Sequence, residues 1–137
     1  MLIPLFVSGG ITTTRIQMRE NGRMRIWDVT PGQLCRQHLL GEHRELHGLW
    51  NILVVHGGTG GYSRHPETQR WVGKTRALYE RHEQLVAEMD RRGYRHQSPL
   101  DKAAATGARV QHTYIDPPQV QERLLAEKPC DCPIQPG

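Results

Sequence analysis

The sequence feature that most constrains the fold is a long apolar stripe between residues 66 and 92. Its members recur at intervals of three and four residues, which is the spacing of one face of an α-helix. They are Trp71, Thr75, Leu78, Tyr79, His82, Leu85, Val86 and Met89. Because Pro66 suits a first helical turn and Gly93 suits a helix end, the segment is predicted to be one helix with a buried face. Its arginines are expected to face solvent: Arg76, Arg81, Arg91 and Arg92.

Another helix is predicted to begin just after residue 30. Thr30 is a favourable N-cap, Pro31 fits the first helical position, and Gln33 completes a capping box. Leucines then recur at roughly helical spacing: Leu34, Leu39, Leu46, Leu49 and Leu53.

A second, polar stripe on this helix contains Gln37, Gly41, Arg44, Glu45 and Gly48. Glycine inside a helix costs about 1 kcal/mol relative to alanine, so two glycines on one face need an explanation. They indicate either tight packing against another helix or close approach of a ligand. The sequence does not decide between these two interpretations.

The predicted fold is a mainly α-helical, compact single domain of about three helices with irregular connections. A third, shorter helix is expected to have Asp116 as its N-cap and Pro117 at its first position, and to end near Lys128. Residues 1–23 show no persistent period, so we expect them to be a disordered or non-native extension. Residues 24–129 form the predicted domain, and residues 130–137 a flexible tail rich in cysteine and proline.

The composition limits the compartment and the kind of partner. Arginine far outnumbers lysine and the formal net charge is +4. The guanidinium suits phosphate contacts, so nucleic acid is a candidate partner, although a GC-rich genome would also enrich arginine. Three cysteines form no disulfide framework, which favours a reducing compartment. Because no apolar run approaches the roughly 20 residues of a membrane span, we expect a cytoplasmic, nucleoid-associated protein without a membrane partner.

His43 and His47 have one feature of a zinc hydrolase, since they lie four residues apart on one helix face. The zinc-hydrolase pattern, however, has glutamate directly after the first histidine, where this chain has Arg44. Glu45 is turned to another side of the helix. A zinc-dependent hydrolase that uses the two histidines is therefore a less favoured alternative.

Cys130 and Cys132 lie one residue apart in the tail and have one feature of a structural zinc site. Such a site needs four ligands, so Cys35 and a histidine would have to complete it. The sequence favours two free thiols, and the predicted protein uses no metal and no organic cofactor.

Two stretches match the pattern of a known family. MRIWD and RQHLLGEHREL lie in the segment that begins at Met24, and the helix RALYERHEQLVAEMDRRGY follows them. In the order and spacing of these motifs, the chain resembles the pyrimidine-dimer DNA glycosylases of the phage endonuclease V type, from Met24 to about Pro99. The resemblance implies an enzyme that flips a base out of damaged duplex DNA, cuts the glycosidic bond and cleaves the backbone by β-elimination.

The resemblance also implies the functional residues. The nucleophile is the α-amine of the N-terminal residue, which would be Met24, and the catalytic carboxylate is Glu45. The DNA-binding residues are then Arg25, Gln37, His38, Arg44 and Arg123. An α-amine has a reference pKa of about 8, against about 10.4 for lysine, so more of it is free base and can form a Schiff base with the sugar. Nearby arginines would lower that pKa further.

The position of the translation start decides whether this chemistry is available. If the protein begins at Met1, Met24 offers only an amide nitrogen, which cannot form a Schiff base. We therefore expect the protein to begin at Met24, and the large side chain of Arg25 to leave that methionine in place. A chain that begins at Met1 would be a catalytically silent DNA-binding relative, which is the main alternative.

Two departures from the phage-type pattern affect the expected specificity. The family's aromatic cluster near the C-terminus is replaced by PCDCPIQPG, and its basic residue three positions after the catalytic glutamate is Gly48. The predicted partner is double-stranded DNA with damaged pyrimidines, with abasic and oxidised sites left open as substrates. The protein is expected to act as a monomer.

Overall fold

The structure is a computed structural model that describes residues 25–96, 98–130 and 132–133. The predicted extension over residues 1–23 and the predicted nucleophile Met24 lie outside the described residues. So does most of the predicted tail. The division of the chain at residues 23 and 129 therefore stays a prediction.

The described part of the chain is mainly α-helical, as predicted. It contains four helices, α1 Arg36–Trp50, α2 Pro66–Gln69, α3 Thr75–Arg91 and α4 Pro118–Ala126. Short 3-10 turns lie at Pro31–Gln33 and Lys102–Ala104, and α1 continues into a π-helical turn at Asn51–Val55. None of the helices in the described ranges combines the length and apolarity needed to cross a bilayer.

The core lies between α1 and α3, which pack against each other along the two predicted apolar stripes. The core side chains of these helices are almost completely buried: Leu39, Leu46, Leu49, Leu78, Leu85 and Met89. Burying one such side chain stabilises a fold by roughly 1.5–3 kcal/mol. Both stripes are therefore confirmed as core, with Thr75, Tyr79 and Val86 only partly buried at the edge.

The predicted start of the first helix is wrong by several residues. Pro31 begins a 3-10 turn, and the Thr30 side chain makes no capping hydrogen bond. Leu34 then adopts an extended backbone conformation and is fully buried. The α-helix begins only after this residue, and its N-cap is Cys35, whose sulfur accepts a hydrogen bond from the His38 amide. Burial of Leu34 thus overrides the local capping signal.

The single helix predicted over residues 66–92 is divided into α2 and α3. Gly73 has a φ of 74°, in the left-handed region that interrupts a helix. Its carbonyl oxygen accepts a hydrogen bond from the Ala108 amide, and a Cβ added to Gly107 would lie 2.1 Å from the same oxygen. The chain around residue 107 therefore packs into the break. The predicted end is confirmed, since α3 finishes at Arg91 and Gly93 has a φ of 81°.

The last helix begins one residue later than predicted and ends two residues earlier than expected. Pro117 is its N-cap and Pro118 its first residue, while Ala126 is its last. Asp116, the predicted N-cap, lies one residue before the observed N-cap, and its carboxylate pairs with Arg25 over 3.0 Å.

Candidate functional site

The polar stripe of α1 forms an open face of the molecule. Gln37, Arg44 and Gly48 are exposed, and Gly41 is partly exposed. A Cβ built on Gly48 meets no other part of the described chain within 4 Å, and one built on Gly41 meets only the Arg44 side chain, at 3.9 Å. Tight packing of the glycines against another described helix is therefore not observed. Among the residues that the structure describes, this face leaves space for close approach of a ligand.

Glu45 lies on the same helix, directly after Arg44, and is partly buried. Successive helical residues are rotated by about 100°, so the carboxylate leaves α1 at the edge of the open face rather than at its centre. A partly buried carboxylate in this position can stabilise positive charge that develops on a bound substrate.

Arg81 anchors the segment in front of α1, contrary to the expectation that it is solvated. It is buried, and its guanidinium donates two hydrogen bonds to Glu42, at 2.6 and 3.0 Å, and a third to the Val29 carbonyl at 2.8 Å. Burial raises the pKa of Glu42, and the charge and hydrogen bonds of Arg81 and the Trp27 amide act in the opposite direction. A buried guanidinium needs such a partner, and periodicity alone could not reveal it.

Arg70 makes a second anchor for this segment. Its guanidinium donates to the Ile26 carbonyl at 2.9 Å, to Asp28 at 3.2 Å and to the buried Glu67 at 2.6 Å. Gln121 of α4 accepts a hydrogen bond from the Asp28 amide at 2.7 Å. Residues 26–29 are thus held by contacts from α1, α3, α4 and the turn after α2.

The two arginines predicted from outside α1 to bind DNA differ in their surroundings. Arg25 is partly buried, pairs with Asp116, and lies 4.5 Å from the ring centroid of Trp27. Arg123 lies exposed on α4. The structure therefore places Gln37, Arg44 and Glu45 on one helix, whereas Arg25 pairs with Asp116, two residues before α4.

His38, the remaining predicted DNA contact, lies in a cluster with three free thiols. Its Nδ1 is 3.2 Å from the Cys35 sulfur and 3.3 Å from the sulfurs of Cys130 and Cys132. The sulfurs of Cys130 and Cys132 are 3.5 Å apart. The four ligand atoms all lie within 4.8 Å of one another. The chain thus brings together the residues that a structural zinc site would have required.

The thiols of this cluster have unequal pKa values. Burial raises the pKa of Cys132 to about 12. Burial also acts to raise the pKa of Cys35, but hydrogen bonds from the His38 amide and the neighbouring thiols lower it overall. Burial and the charge of Lys128 lower the pKa of His38 below its ordinary value of 6.5. The cluster can therefore offer one imidazole nitrogen and three sulfurs to a soft cation.

A second cluster contains four histidines from three parts of the fold. His43 and His47 come from α1, His82 from α3, and His96 from the chain that follows α3. The Nε2 atom of His47 lies 3.2 Å from Nε2 of His43 and 3.2 Å from Nε2 of His82. Burial, followed by repulsion from the other histidines, lowers the pKa of His43 to about 4, and burial also lowers the pKa values of His47 and His82.

The sequence pattern paired only His43 with His47 and assigned His82 to the core. His82 is fully buried, as expected, but its ring faces the other histidines rather than apolar side chains alone. Helical periodicity could have indicated that His82 lies near His43 and His47, since residue 82 belongs to the stripe of α3 that packs on α1. No sequence signal points to His96, because its position depends on how the chain leaves α3.

Comparison with known proteins identifies the family. The family model described as pyrimidine dimer DNA glycosylase matches residues 24–102, which is more than half of the chain. The match covers α1, α2 and α3, with Arg44 and Glu45 inside it, and excludes α4. No curated protein and no solved structure matches the chain. The chain belongs to the pyrimidine dimer DNA glycosylase family.

Proposed function

We propose that the protein is a DNA repair glycosylase with an associated abasic-site lyase activity, and that it acts on pyrimidine dimers or related damaged sites in double-stranded DNA. The observation that carries the proposal is the open face of α1 beside Glu45. Its glycines leave room for a DNA backbone, Arg44 supplies a phosphate contact, and the carboxylate stands at the edge of the surface. The family match over the same residues supports this assignment.

The nucleophile of the proposed reaction is the α-amine of Met24 in a chain that begins there. The segment that follows residue 24 packs on α1, since the Trp27 ring centroid lies 5.9 Å from that of His38 and Arg81 joins the Val29 carbonyl to Glu42. Three residues span at most about 10 Å, so an amine at residue 24 stays within that reach of the Trp27 amide. Glu42 and Glu45 lie three residues apart, which is about 4.5 Å along the helix axis. The proposal therefore requires the amine to lie beside Glu45, within the roughly 10 Å that three residues can span from the Trp27 amide.

The reaction begins when the amine attacks C1′ of the damaged nucleotide. The glycosidic carbon–nitrogen bond breaks, the base leaves with the bonding electron pair, and loss of a proton from the amine and ring opening of the sugar give a Schiff base. Glu45 stabilises the positive charge that develops on the sugar and then accepts a proton from C2′. The electrons of that C–H bond expel the 3′ phosphate, and water finally hydrolyses the Schiff base to release the enzyme.

The proposed DNA contacts are electrostatic and polar. Arg44 and Gln37 lie on the open face of α1, and Arg123 is exposed on α4. In the proposed complex, Arg25 gives up its ion pair with Asp116 and contacts a DNA phosphate instead. His38 retains its Nε2 for a contact, because Nδ1 faces the thiols. Such an interface weakens as salt rises, since each neutralised phosphate releases counterions.

The alternatives differ from this proposal in their chemistry. A catalytically silent relative, with residues 1–23 in place, would bind DNA without forming a Schiff base. A zinc-dependent hydrolase at His43 and His47 is not favoured by the geometry. All four histidine nitrogens converge, and a tetrahedral ion bound by all of them would have no open position for water.

We propose a cytoplasmic monomer that acts at the nucleoid.

A plasmid-nicking assay tests the proposed function. Supercoiled plasmid is irradiated with ultraviolet light or left untreated, and each sample is incubated with the chain that begins at Met24. The proposal predicts conversion of the irradiated plasmid to the nicked form without added divalent metal ions, and little change in the untreated plasmid. Equal nicking of both plasmids would indicate a nuclease without damage specificity, and binding without nicking would favour the silent relative.

A further inference from the structure

We propose that Cys35, His38, Cys130 and Cys132 bind a structural zinc ion that ties the tail of the chain to the start of α1. Three sulfurs and one imidazole nitrogen form one of the usual ligand sets of structural zinc. Two of the ligands, Cys130 and Cys132, lie beyond the residues that match the family model. The site is therefore a property of this chain, and it stands whether or not the protein is a glycosylase.

The distances in the cluster fit one ion at its centre. With zinc–sulfur bonds of about 2.3 Å and a zinc–nitrogen bond of about 2.0 Å, tetrahedral geometry places two sulfurs about 3.8 Å apart and a sulfur and a nitrogen about 3.5 Å apart. The corresponding distances here are 3.5 Å between Cys130 and Cys132, and 3.2–3.3 Å between the sulfurs and His38 Nδ1. The sulfur of Cys35 lies within 4.8 Å of the other two sulfurs, so small movements would bring all four atoms to one ion.

Hydrogen bonding alone does not account for this arrangement. Nδ1 of a neutral imidazole carries either one proton or one lone pair, yet three sulfurs lie within 3.3 Å of it. At most one of these contacts can be a well-formed hydrogen bond to that nitrogen. A cation that accepts a lone pair from each of the four atoms accounts for all of the contacts together.

The surroundings of the cluster also suit thiolates. The Cys35 amide lies 3.2 Å from the Cys132 sulfur and donates to it, and the His38 amide donates to the Cys35 sulfur over 3.5 Å. Amide donors of this kind hold metal-bound sulfurs in place. Zinc binding would release the thiol protons, and Lys128 near His38 would offset the remaining negative charge.

Zinc analysis of the purified full chain, produced without a histidine tag, tests this site. Cys130→Ser removes one ligand, and Pro129→Ala is the matched control because Pro129 is exposed and supplies no ligand. We expect the Cys130→Ser variant to contain about one zinc ion per chain fewer than the parent and the Pro129→Ala variant. Equal zinc contents, or a parent chain in which the cysteines are oxidised to a disulfide, would overturn the proposal.

Cobalt substitution gives a measurement that does not depend on the folding of a variant. Cobalt bound by thiolates shows an intense sulfur-to-metal charge-transfer absorption in the near ultraviolet. We expect this band from the cobalt-loaded parent chain and from Pro129→Ala. Its absence from the parent would show that the thiols do not bind the metal.

We further infer, from separate observations, that His43, His47, His82 and His96 bind a second zinc ion. The Nε2 atom of His96 is buried and has no hydrogen-bond partner among the residues that the structure describes. Nδ1 of His82 lies 2.8 Å from a carboxylate oxygen of Glu83, which holds the ring proton on Nδ1 and leaves a lone pair on Nε2. That lone pair faces the other histidines.

The histidine nitrogens all lie within 4.8 Å of one another, and two of the distances between them match this second ion. Nitrogen ligands about 2.0 Å from a tetrahedral zinc ion lie about 3.3 Å from one another. The Nε2 atom of His47 lies 3.2 Å from the Nε2 atoms of both His43 and His82. The ion would join α1 and α3 to the chain that follows α3. Because four protein ligands fill its coordination sphere, its role would be structural.

His96→Gln tests the second site, with His112→Gln as the matched control because His112 is exposed and outside both clusters. We expect His96→Gln to lose about one zinc ion per chain, while its cobalt form keeps the sulfur charge-transfer band. His112→Gln should retain the zinc content of the parent. A zinc content unchanged by His96→Gln would contradict this second inference and leave the first intact.

Discussion

The guanidinium of Arg81 on α3 donates two hydrogen bonds to the fully buried carboxylate of Glu42 on α1. The same guanidinium donates to the Val29 carbonyl. One buried ion pair therefore joins the two central helices to the segment in front of α1. In the proposed enzyme, this pair also holds the chain that leads back to the N-terminal amine.

Removal of one partner should be strongly destabilising, because it leaves a buried charge without compensation. We expect Arg81→Met to lower the free energy of unfolding by about 3–5 kcal/mol in urea denaturation. Arg76→Met is the control on the same helix, since Arg76 is exposed. The double variant Glu42→Leu/Arg81→Met should recover part of the loss. A loss below about 1 kcal/mol, similar to that of the control, would contradict the buried pairing.

Glu45→Gln should abolish strand cleavage while largely preserving DNA binding. The glutamine amide is nearly isosteric with the carboxylate. Because it is uncharged and only weakly basic, it can neither stabilise a cationic sugar by its charge nor accept the C2′ proton. Cleavage of an abasic-site duplex and binding of the uncleaved duplex, both measured on the chain that begins at Met24, separate the two effects. Retained cleavage would refute the assignment of Glu45.

Gly48 offers a test of the open face of α1. Gly48→Ala should stabilise the helix by up to about 1 kcal/mol and weaken DNA binding, because its methyl group fills part of the space left for the DNA backbone. Gly48→Arg restores a basic residue three positions after Glu45, so it should bind DNA more tightly than Gly48→Ala and steepen the plot of log affinity against log salt by about 0.9. Equal affinities of the two variants across a salt series would show that DNA does not contact this face.

The ion pairs of Glu88 lead us to expect that the free energy of unfolding depends on pH. Hydrogen bonds from Arg91 and Arg92 hold the pKa of Glu88 below its ordinary value of 4.5. Because the folded-state pKa is lowered, the carboxylate stabilises the fold above about pH 4.5, and this contribution is lost as the pH falls through the folded-state pKa.

Glu88→Gln should therefore reduce stability at pH 7 by less than about 1 kcal/mol, and the difference from the parent should disappear in acid. Urea denaturation at a series of pH values measures it, with the exposed Glu80→Gln as the control. A stability difference that grows as the pH falls would contradict a lowered pKa for Glu88 in the folded protein.

Sequence patterns predicted the helices better than their ends. The stripes that contain Leu46 and Leu85 are periodic, and periodicity depends on neighbouring residues alone. The break at Gly73 instead depends on the chain around Gly107, which packs there from more than 30 residues away in the sequence. Likewise, the prediction of a helix N-cap at Thr30 was wrong, because the buried Leu34 adopts an extended backbone conformation that delays the start of the helix.

The candidate site divides in the same way. Arg44 and Glu45 could be predicted from a local motif, and the helix that carries them is present. The buried pairing of Arg81 and the convergence of His96 on His82 could not be predicted, since each depends on how separate elements pack. Cys35 and Cys132 could be named as possible partners, but only the fold brings their sulfurs to one nitrogen.

Borohydride trapping is the most direct test of the proposed amine chemistry. The chain that begins at Met24 and the chain that begins at Met1 are each incubated with an abasic-site duplex and borohydride, which reduces a Schiff base to a stable crosslink. We expect a protein–DNA crosslink with the shorter chain alone, attached at the amine of Met24 when mapped by mass spectrometry. No crosslink with either chain, or a crosslink mapped to a lysine, would contradict the proposed mechanism.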